Sequence, residues 1–342
     1  MAPLRISIYD QTLTRIGILF EFVSLTWEET YNDVGTLQIV VNKTRSMTSV
    51  FKLGYFVGIP DSDTLMIITG LEDKLTAEGA ELWIHGFEAK YILGNRVFNN
   101  AKVVGGNVES RLRTLCSNRL DIMTVAPARG LTATTDAEHA YPTLLEICTD
   151  FCQPADYGFR LIFDRENKKL QFDVYNGRTI NSVKYSTRFG NLYNLERRKM
   201  INGAKNAAYV LAEEVEGQDR QVLIVTLDGT EGQSSINRWG FVVDASDIKH
   251  EEGQTADQYT ALLRARGLEA LAENKEIDEI VFDVDAADYR KTLEVGDKIT
   301  CILPEYNEVL TVRIVTARVV YEDNKRTISL TMGEPIKRRK RG

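Results

Sequence analysis

The sequence predicts a mainly β fold of the α+β class. Three observations lead there. Apolar and polar residues alternate with a period of two through much of the first hundred residues, with turn chemistry between the runs. Helical spacing is concentrated in a stretch at about 100–190 and in one long helix at 256–275. The chain then closes on a long hairpin.

The first element is "SLTWEETYNDVGTLQIVV", residues 24 to 41. Leu37, Ile39 and Val41 alternate with Thr36, Gln38 and Val40, and Asn32, Asp33 and Gly35 supply the reversal before them. Trp27 and Tyr31 precede the second strand as candidate anchors. "GYFVGIPDSDTLMIITGLED" repeats the pattern, with a strand to Ile59, a Pro-Asp-Ser-Asp turn and a strand over Leu65–Thr69. "AELWIHGFEAKYIL" adds a strand carrying Leu82 and Ile84, then a short helical step. Many short strands with regular turns predict a barrel or sandwich.

From about 100 to 190 the texture is mixed. Asn107 is placed as the N-cap of a helix carrying Val108, Leu112 and Leu115, with Arg111, Arg113 and Arg119 expected in solvent. In "TLLEICTDFC", Thr143 and Glu146 form a capping box, and Leu144, Ile147, Cys148, Phe151 and Cys152 make an apolar stripe that Pro154 ends. Two strands follow around a polar turn in "YGFRLIFDRENKKLQFDVYNG". After 190 the β texture returns. Its long helix begins on a second capping box, Thr255 and Gln258. A Gly296-Asp297 turn then delivers a strand with Ile299, Cys301 and Leu303 on one face.

Composition narrows the function. The 342 residues are 43% hydrophobic and 27% charged, which is ordinary for a globular chain of two or three domains. Net charge is −7, and "KRRKR" at 337–341 contributes +5 of it, which leaves the body at −12. Such a body does not grip nucleic-acid phosphates by itself. The basic tail reads as a solvated terminus or a contact for an anionic partner. The start lacks a secretory signal, and "IGILFEFVSL" is too short to span a bilayer, so synthesis in the cytoplasm and no membrane span are expected.

No catalytic, cofactor-binding or metal-binding residue is assigned. The histidines, His85, His139 and His250, lie in separate segments. Cys148 and Cys152 sit on an apolar stripe and read as core. "DVDAADYRKTLE" places Asp283, Asp285 and Glu294 at calcium-loop positions, but Ala287 replaces a ligand and Asp288 the turn glycine, so it reads as a solvated strand end. Phosphate-loop and nucleophile-elbow motifs are absent, and "VVGGNVES" reads as a turn into a helix.

The order of these elements resembles the tail-hub, or tail-associated, proteins of siphophages. The likeness is carried by "WEETYNDVGTLQIVV", by "WIHGFEAKYILGNRVF", and by "LQFDVYNGRTINSVKYSTRFGNLYNLERRKMINGAKNAAYVLAEEVEGQDR". "WGFVVDASDI", "LEVGDKITCIL", "RIVTARVVY" and "ISLTMGEP" complete it in family order, over most of 25–335. Family members often carry an acidic residue beside the Arg of the "YNGRTI" turn, which is missing here. The resemblance implies two tube-type β-barrel domains with an inserted α/β domain. It places the first barrel at 1–99, completed by strands from 190–245, and the insert at 100–189. The second barrel region, with helix 256–275, covers 190–335, and a basic tail covers 336–342. Trp27, Tyr31, Gly35, Leu37, Gly296 and Asp297 become structural anchors. The implied role is structural rather than enzymatic: a homotrimer forming a pseudo-six-fold ring at the virion tail tip. Its implied partners are the tail tube or distal tail protein, a tip spike or fibre protein and the tape measure protein, with DNA passing through the lumen. A contractile-tail or tailocin hub is the nearest alternative, and a tail-tip peptidoglycan hydrolase the alternative of another class. Since the chain closes soon after "MGEP", no cell-wall-cutting domain is expected behind the hub.

Overall fold

The computed structural model describes residues 4–44, 49–76, 79–98, 103–139, 141–215, 217, 219–228, 230–251, 253–284, 288–322 and 325–333. The basic tail, Asp285 and Ala287 lie outside them. The chain forms two compact units, residues 1–196 with 280–335, and residues 197–279 with 336–342.

The first unit opens with seven strands: β1 (Ile6–Tyr9), β2 (Arg15–Leu19), β3 (Ser24–Thr30), β4 (Thr36–Asn42), β5 (Phe56–Gly58), β6 (Met66–Thr76) and β7 (Gly79–Glu88). The period of two appears as burial. Leu25 and Trp27 on β3 and Leu37 and Ile39 on β4 all point inward, with Trp27 registered against Leu37. The helical step after β7 is a 3-10 turn over Ala89–Asn95.

The mixed segment supplies β8 (Val103–Asn107), α1 (Val108–Cys116), β9 (Met123–Val125), β10 (Thr134–His139), α2 (Leu144–Cys152), β11 (Gly158–Asp164) and β12 (Lys169–Tyr175). Asn107 caps α1 by accepting from the Ser110 amide, and Thr143 with Glu146 forms the capping box of α2. Arg113 is half-buried, whereas Arg119 is exposed as expected, and both make contacts. Arg113 donates to the Ala126 carbonyl, and Arg119 lies 4.5 Å from the Phe98 ring centroid. Their stems cover apolar surface while the heads find acceptors. Antiparallel β11–β12, with β9 parallel to β12, carries the two helices over a core that includes Phe151, Phe159 and Phe172. Tyr9, Phe56 and Leu65 belong to the same core, so the insert packs on the sheet formed by the opening strands.

The chain continues through β13 (Thr179–Tyr185) and β14 (Tyr193–Met200). The second unit contains β15 (Ala207–Leu211), β16 (Val222–Thr226), β17 (Gly240–Asp244) and α3 (Ala256–Glu273). Its three-stranded sheet, β16-β15-β17, is covered by α3, which starts on the Thr255–Gln258 capping box. Tyr259, Leu263 and Leu271 of the helix are buried with Val210 and Val225. Gly267 lies on that stripe. A Cβ there would stand 2.8 Å from both valines, so only glycine admits this approach of helix to sheet.

The chain then returns through β18 (Ile277–Asp283), β19 (Lys298–Leu303), β20 (Glu308–Glu322) and β21 (Lys325–Met332). Among the described residues the large sheet has 13 strands. Its order runs β14-β18-β21-β20-β3-β4-β7-β6-β5-β1-β2, with β19 branching from β20 and β13 beside β19. The path has two free ends, and no pairing among the described residues closes it into a barrel. The strand beside β3 on its other edge is β20, registered from Thr30↔Thr316 to Ser24↔Glu322, and β14 from the 190–245 stretch joins the same sheet at its end. Fifteen residues long, β20 can pair with β19 along its first part and with β3 and β21 along the rest.

Candidate functional site: a buried polar seam beneath the first hairpin

β3 puts Leu25, Trp27 and Glu29 on one face, and all three are buried. Strand period therefore carries a carboxylate into the core. Fixed donors meet it there. Trp27 Nε1 donates to Oε1 at 3.0 Å, Ser62 Oγ at 2.7 Å and Thr64 Oγ1 at 2.9 Å. Tyr289 Oη donates to Oε2 at 2.9 Å, and the Arg290 guanidinium pairs with the same oxygen. Burial alone would raise this carboxyl. The Arg290 charge and the bonds from Trp27, Ser62 and Tyr289 outweigh it and hold Glu29 at about 2. The segment read as a solvated strand end thus aims Tyr289 and Arg290 at the core. Asp283, at its start, accepts from Ser329 Oγ and from Asn194 Nδ2.

Glu88 and Lys90 form a second buried pair, 3.1 Å apart. Glu88 Oε2 also accepts from the Gly35 amide at 2.7 Å and from Thr30 N and Oγ1 at 3.2 and 3.0 Å. Lys90 Nζ donates to the Thr30 carbonyl at 2.7 Å and lies 5.1 Å from the Phe159 ring centroid. Burial pushes the Glu88 carboxyl up, with the Lys90 ammonium opposing. Gly35 is required by close approach, because a Cβ would fall 2.0 Å from the Glu28 carbonyl oxygen.

Tyr31 continues the seam. Its hydroxyl lies 3.1 Å from the carbonyls of Asp156 and Tyr175, and its ring packs edge-on against Tyr175. Arg313, from β20, stacks 4.6 Å from the Tyr31 centroid and grips Asp156 through Nε at 2.8 Å and Nη2 at 2.6 Å. Burial raises the Asp156 carboxyl, and the bonds from Arg313 and Lys298 bring it below its usual range. Gly296, at φ +95°, passes so near that a Cβ would meet Tyr31 at 2.6 Å. Next to it, Asp297 is buried and takes a bidentate bond from Arg178 at 2.6 and 3.2 Å. The Arg of the "YNGRTI" turn thus finds its acid across the chain. Asp297 also accepts from the Arg178 and Glu294 amides, which fixes the turn into β19.

All six sequence-stated anchors lie in this unit. Trp27 and Leu37 pair across the hairpin, Gly35 touches Glu88, Tyr31 touches Gly296, and Asp297 holds Arg178. Sequence reading missed Glu29, Glu88, Lys90, Asp156, Arg290 and Arg313. The period of Leu25, Trp27 and Glu29 was the available signal for the first. The long-range partners had none, since an ion pair 157 residues apart leaves no local trace. These carboxylates are surrounded by fixed donors, an arrangement suited to holding segments together rather than to exchanging protons. The four cysteines are buried, and burial raises the thiols of Cys148, Cys152 and Cys301, the last to about 12. No helix among the described residues is long and apolar enough to cross a membrane.

The family model for Siphovirus ReqiPepy6 Gp37-like protein matches residues 5–334. No curated protein matches the chain by sequence. Among solved structures, the fold is similar to a tail protein from Neisseria meningitidis MC58, with TM-score 0.60, 11% identity and 96% of each chain covered. It is similar to the 43 kDa tail protein of prophage MuSo2 from Shewanella oneidensis, with TM-score 0.62 and 10% identity over 97% of this chain and 98% of that one. It is also similar to prophage tail protein gp18 from Listeria monocytogenes EGD-e, with TM-score 0.53 and 14% identity over 98% and 95%.

Proposed function

The chain belongs to the Siphovirus ReqiPepy6 Gp37-like protein family, and on that premise we propose that it is a structural hub of a phage tail tip. In this reading three copies form a pseudo-six-fold ring. The ring joins the hexameric tail tube or distal tail protein to a tip spike or fibre protein, adjoins the tape measure protein and leaves a lumen for DNA. The two tube-type β walls of each copy come from the large sheet of the first unit. A quasi-repeated β surface lets three chains match six-fold neighbours through contacts that close.

The observation that carries this reading is the joining of the chain's two ends in one sheet. β3 near the start pairs with β20 near the end, and the buried Arg313 of β20 ties the insert to that sheet through Asp156. A subunit that must keep its wall geometry while bearing load gains from such ties. The acidic body, −12 without the basic run, suits a lumen through which phosphates slide without sticking. The role is that of a scaffold rather than an enzyme.

Solution mass tests the assembly. Three chains of 38.6 kDa should sediment near roughly 116 kDa alone or with tail-tip neighbours, and a strict monomer under both conditions overturns the ring. Zymography on peptidoglycan tests the role. Lysis abolished by a single Asp or Glu substitution would replace the scaffold with a hydrolase. A sheath gene beside this one would move the hub to a contractile tail.

A further inference from the structure

A small cleft of about 210 Å³ opens on the first unit between β1, β2 and the turn that joins β11 to β12. Its floor is a rung of three strands, since Ser7 is registered with Ile18 on one side and with Gly58 on the other. Tyr9 registers with Arg15 one rung further. Arg5, Arg15 and Arg165 stand around it, all three exposed. Among the described residues none of these arginines is paired with a carboxylate. Three acids near the lining residues in sequence are committed elsewhere, while the exposed Glu166 beside Arg165 makes no carboxylate contact with any of the three arginines. Asp10 accepts from Thr12 and Thr14, Asp61 faces Arg326, and Asp164 holds its own turn through Glu166, Asn167 and Gln171. Three unbalanced guanidinium groups around one cleft are anomalous in a chain of net charge −7.

The cleft borders β2, which ends the sheet and pairs only with β1 among the described residues. Its outward face and its continuation present Ile16, Ile18 and Phe20, which are 45, 39 and 54% exposed. An exposed edge with an apolar stripe is a template for another strand. The arginines set the charge of that strand.

The geometry points to a docking site for an extended, acidic segment of a protein partner. The segment adds to the free edge of β2, its apolar side chains cover Ile16, Ile18 and Phe20, and one carboxylate enters the cleft between Arg15 and Arg165. Guanidinium groups suit this because they bind carboxylates in a planar fork. Nucleic acid fits less well. The stripe is largely aliphatic, with a single aromatic ring for base stacking, and the body repels phosphates. The inference does not depend on the hub reading, because it concerns one face of one chain.

The test uses the full chain and two labelled peptides, one alternating valine with glutamate and one alternating valine with glutamine, followed by fluorescence anisotropy. The glutamate peptide should bind at least tenfold more tightly. Arg15→Gln with Arg165→Gln should remove that advantage while thermal unfolding stays unchanged, as expected of exposed side chains. Backbone N-methylation of the glutamate peptide at alternate residues should weaken it at least tenfold, since edge pairing needs those amides. Equal binding of the two peptides overturns the proposal. So does an advantage that survives the double substitution, indifference to N-methylation, or tighter binding of oligothymidylate or inorganic phosphate at the same arginines.

Discussion

The two units place their charges in opposite ways. In the first, Glu29, Glu88, Lys90, Asp297 and Arg313 are buried; Glu88 and Lys90 answer each other, and Glu29, Asp297 and Arg313 are answered by Arg290, Arg178 and Asp156 from distant segments. In the second, neither partner of the ion pairs Arg220–Asp244, Arg266–Asp247 and Lys249–Glu213 is buried. Its coherence comes instead from α3 lying on three strands with glycine at the contact. A buried pair costs more to form than an exposed one, and far more to break once formed. The first unit therefore has its segment geometry specified by charge, and the second by packing. That is the division expected if the first unit holds a wall.

The largest effect should come from leaving a charge unanswered in the seam. Glu29→Ala strands Arg290 beside Ser62 and Tyr289 and should destabilise the first unit by about 3–5 kcal/mol in urea unfolding. A loss below about 1 kcal/mol would erase the contrast between the units.

Acid should produce a slightly smaller effect with a defined sign. Glu29 sits at about 2 against an ordinary 4.5, so its contribution is present above 4.5 and is lost as pH falls toward 2. That loss is about 3 kcal/mol. Glu88 has the opposite sign. Burial raises it, so its contribution is present below 4.5 and is lost as pH rises through its folded value. Urea unfolding of Glu29→Gln across pH 2–5 should show the acid limb flattened. An acid limb as steep as that of the unaltered chain contradicts the assignment.

Packing should dominate the second unit. Gly267→Ala forces a methyl against Val210 and Val225 and should cost about 1–3 kcal/mol. Hydrogen exchange should show faster amide exchange in α3 and β15, with the seam unchanged. The smallest effect is expected at the surface of the same helix. Arg266→Ala removes the pair with Asp247 and should change stability by no more than ~0.5 kcal/mol. If the two substitutions rank the other way, charge rather than packing holds the second unit.

Local features were legible in the sequence. Period two located the opening hairpin, and Thr143–Glu146 and Thr255–Gln258 marked helix starts that the structure reproduces. Capping and alternation depend on neighbours within a few residues, so they are written locally. Strand order is not, because β3 chooses β20 over strands nearer in sequence through side-chain fit along a long register. The seam was legible only in part. Glu29 falls on the same parity as Leu25 and Trp27, and Gly296 and Asp297 mark a turn. But "DVDAADYRKTLE" looked acidic and solvated, while the residues that matter in it, Tyr289 and Arg290, point at an acid about 260 residues away. The free edge at β2 was hidden for the same reason, since an edge exists only once the whole sheet order is known.

The central claim is that this chain builds a ring at a tail tip, and a cryo-EM map of intact tail tips from the phage that encodes it tests that most directly. Three copies are expected in a pseudo-six-fold ring against the tube, with the large sheet of each first unit lining the wall around an open lumen. A map in which the chain is absent from the tip, or is present as an isolated copy away from the tube axis, would contradict it.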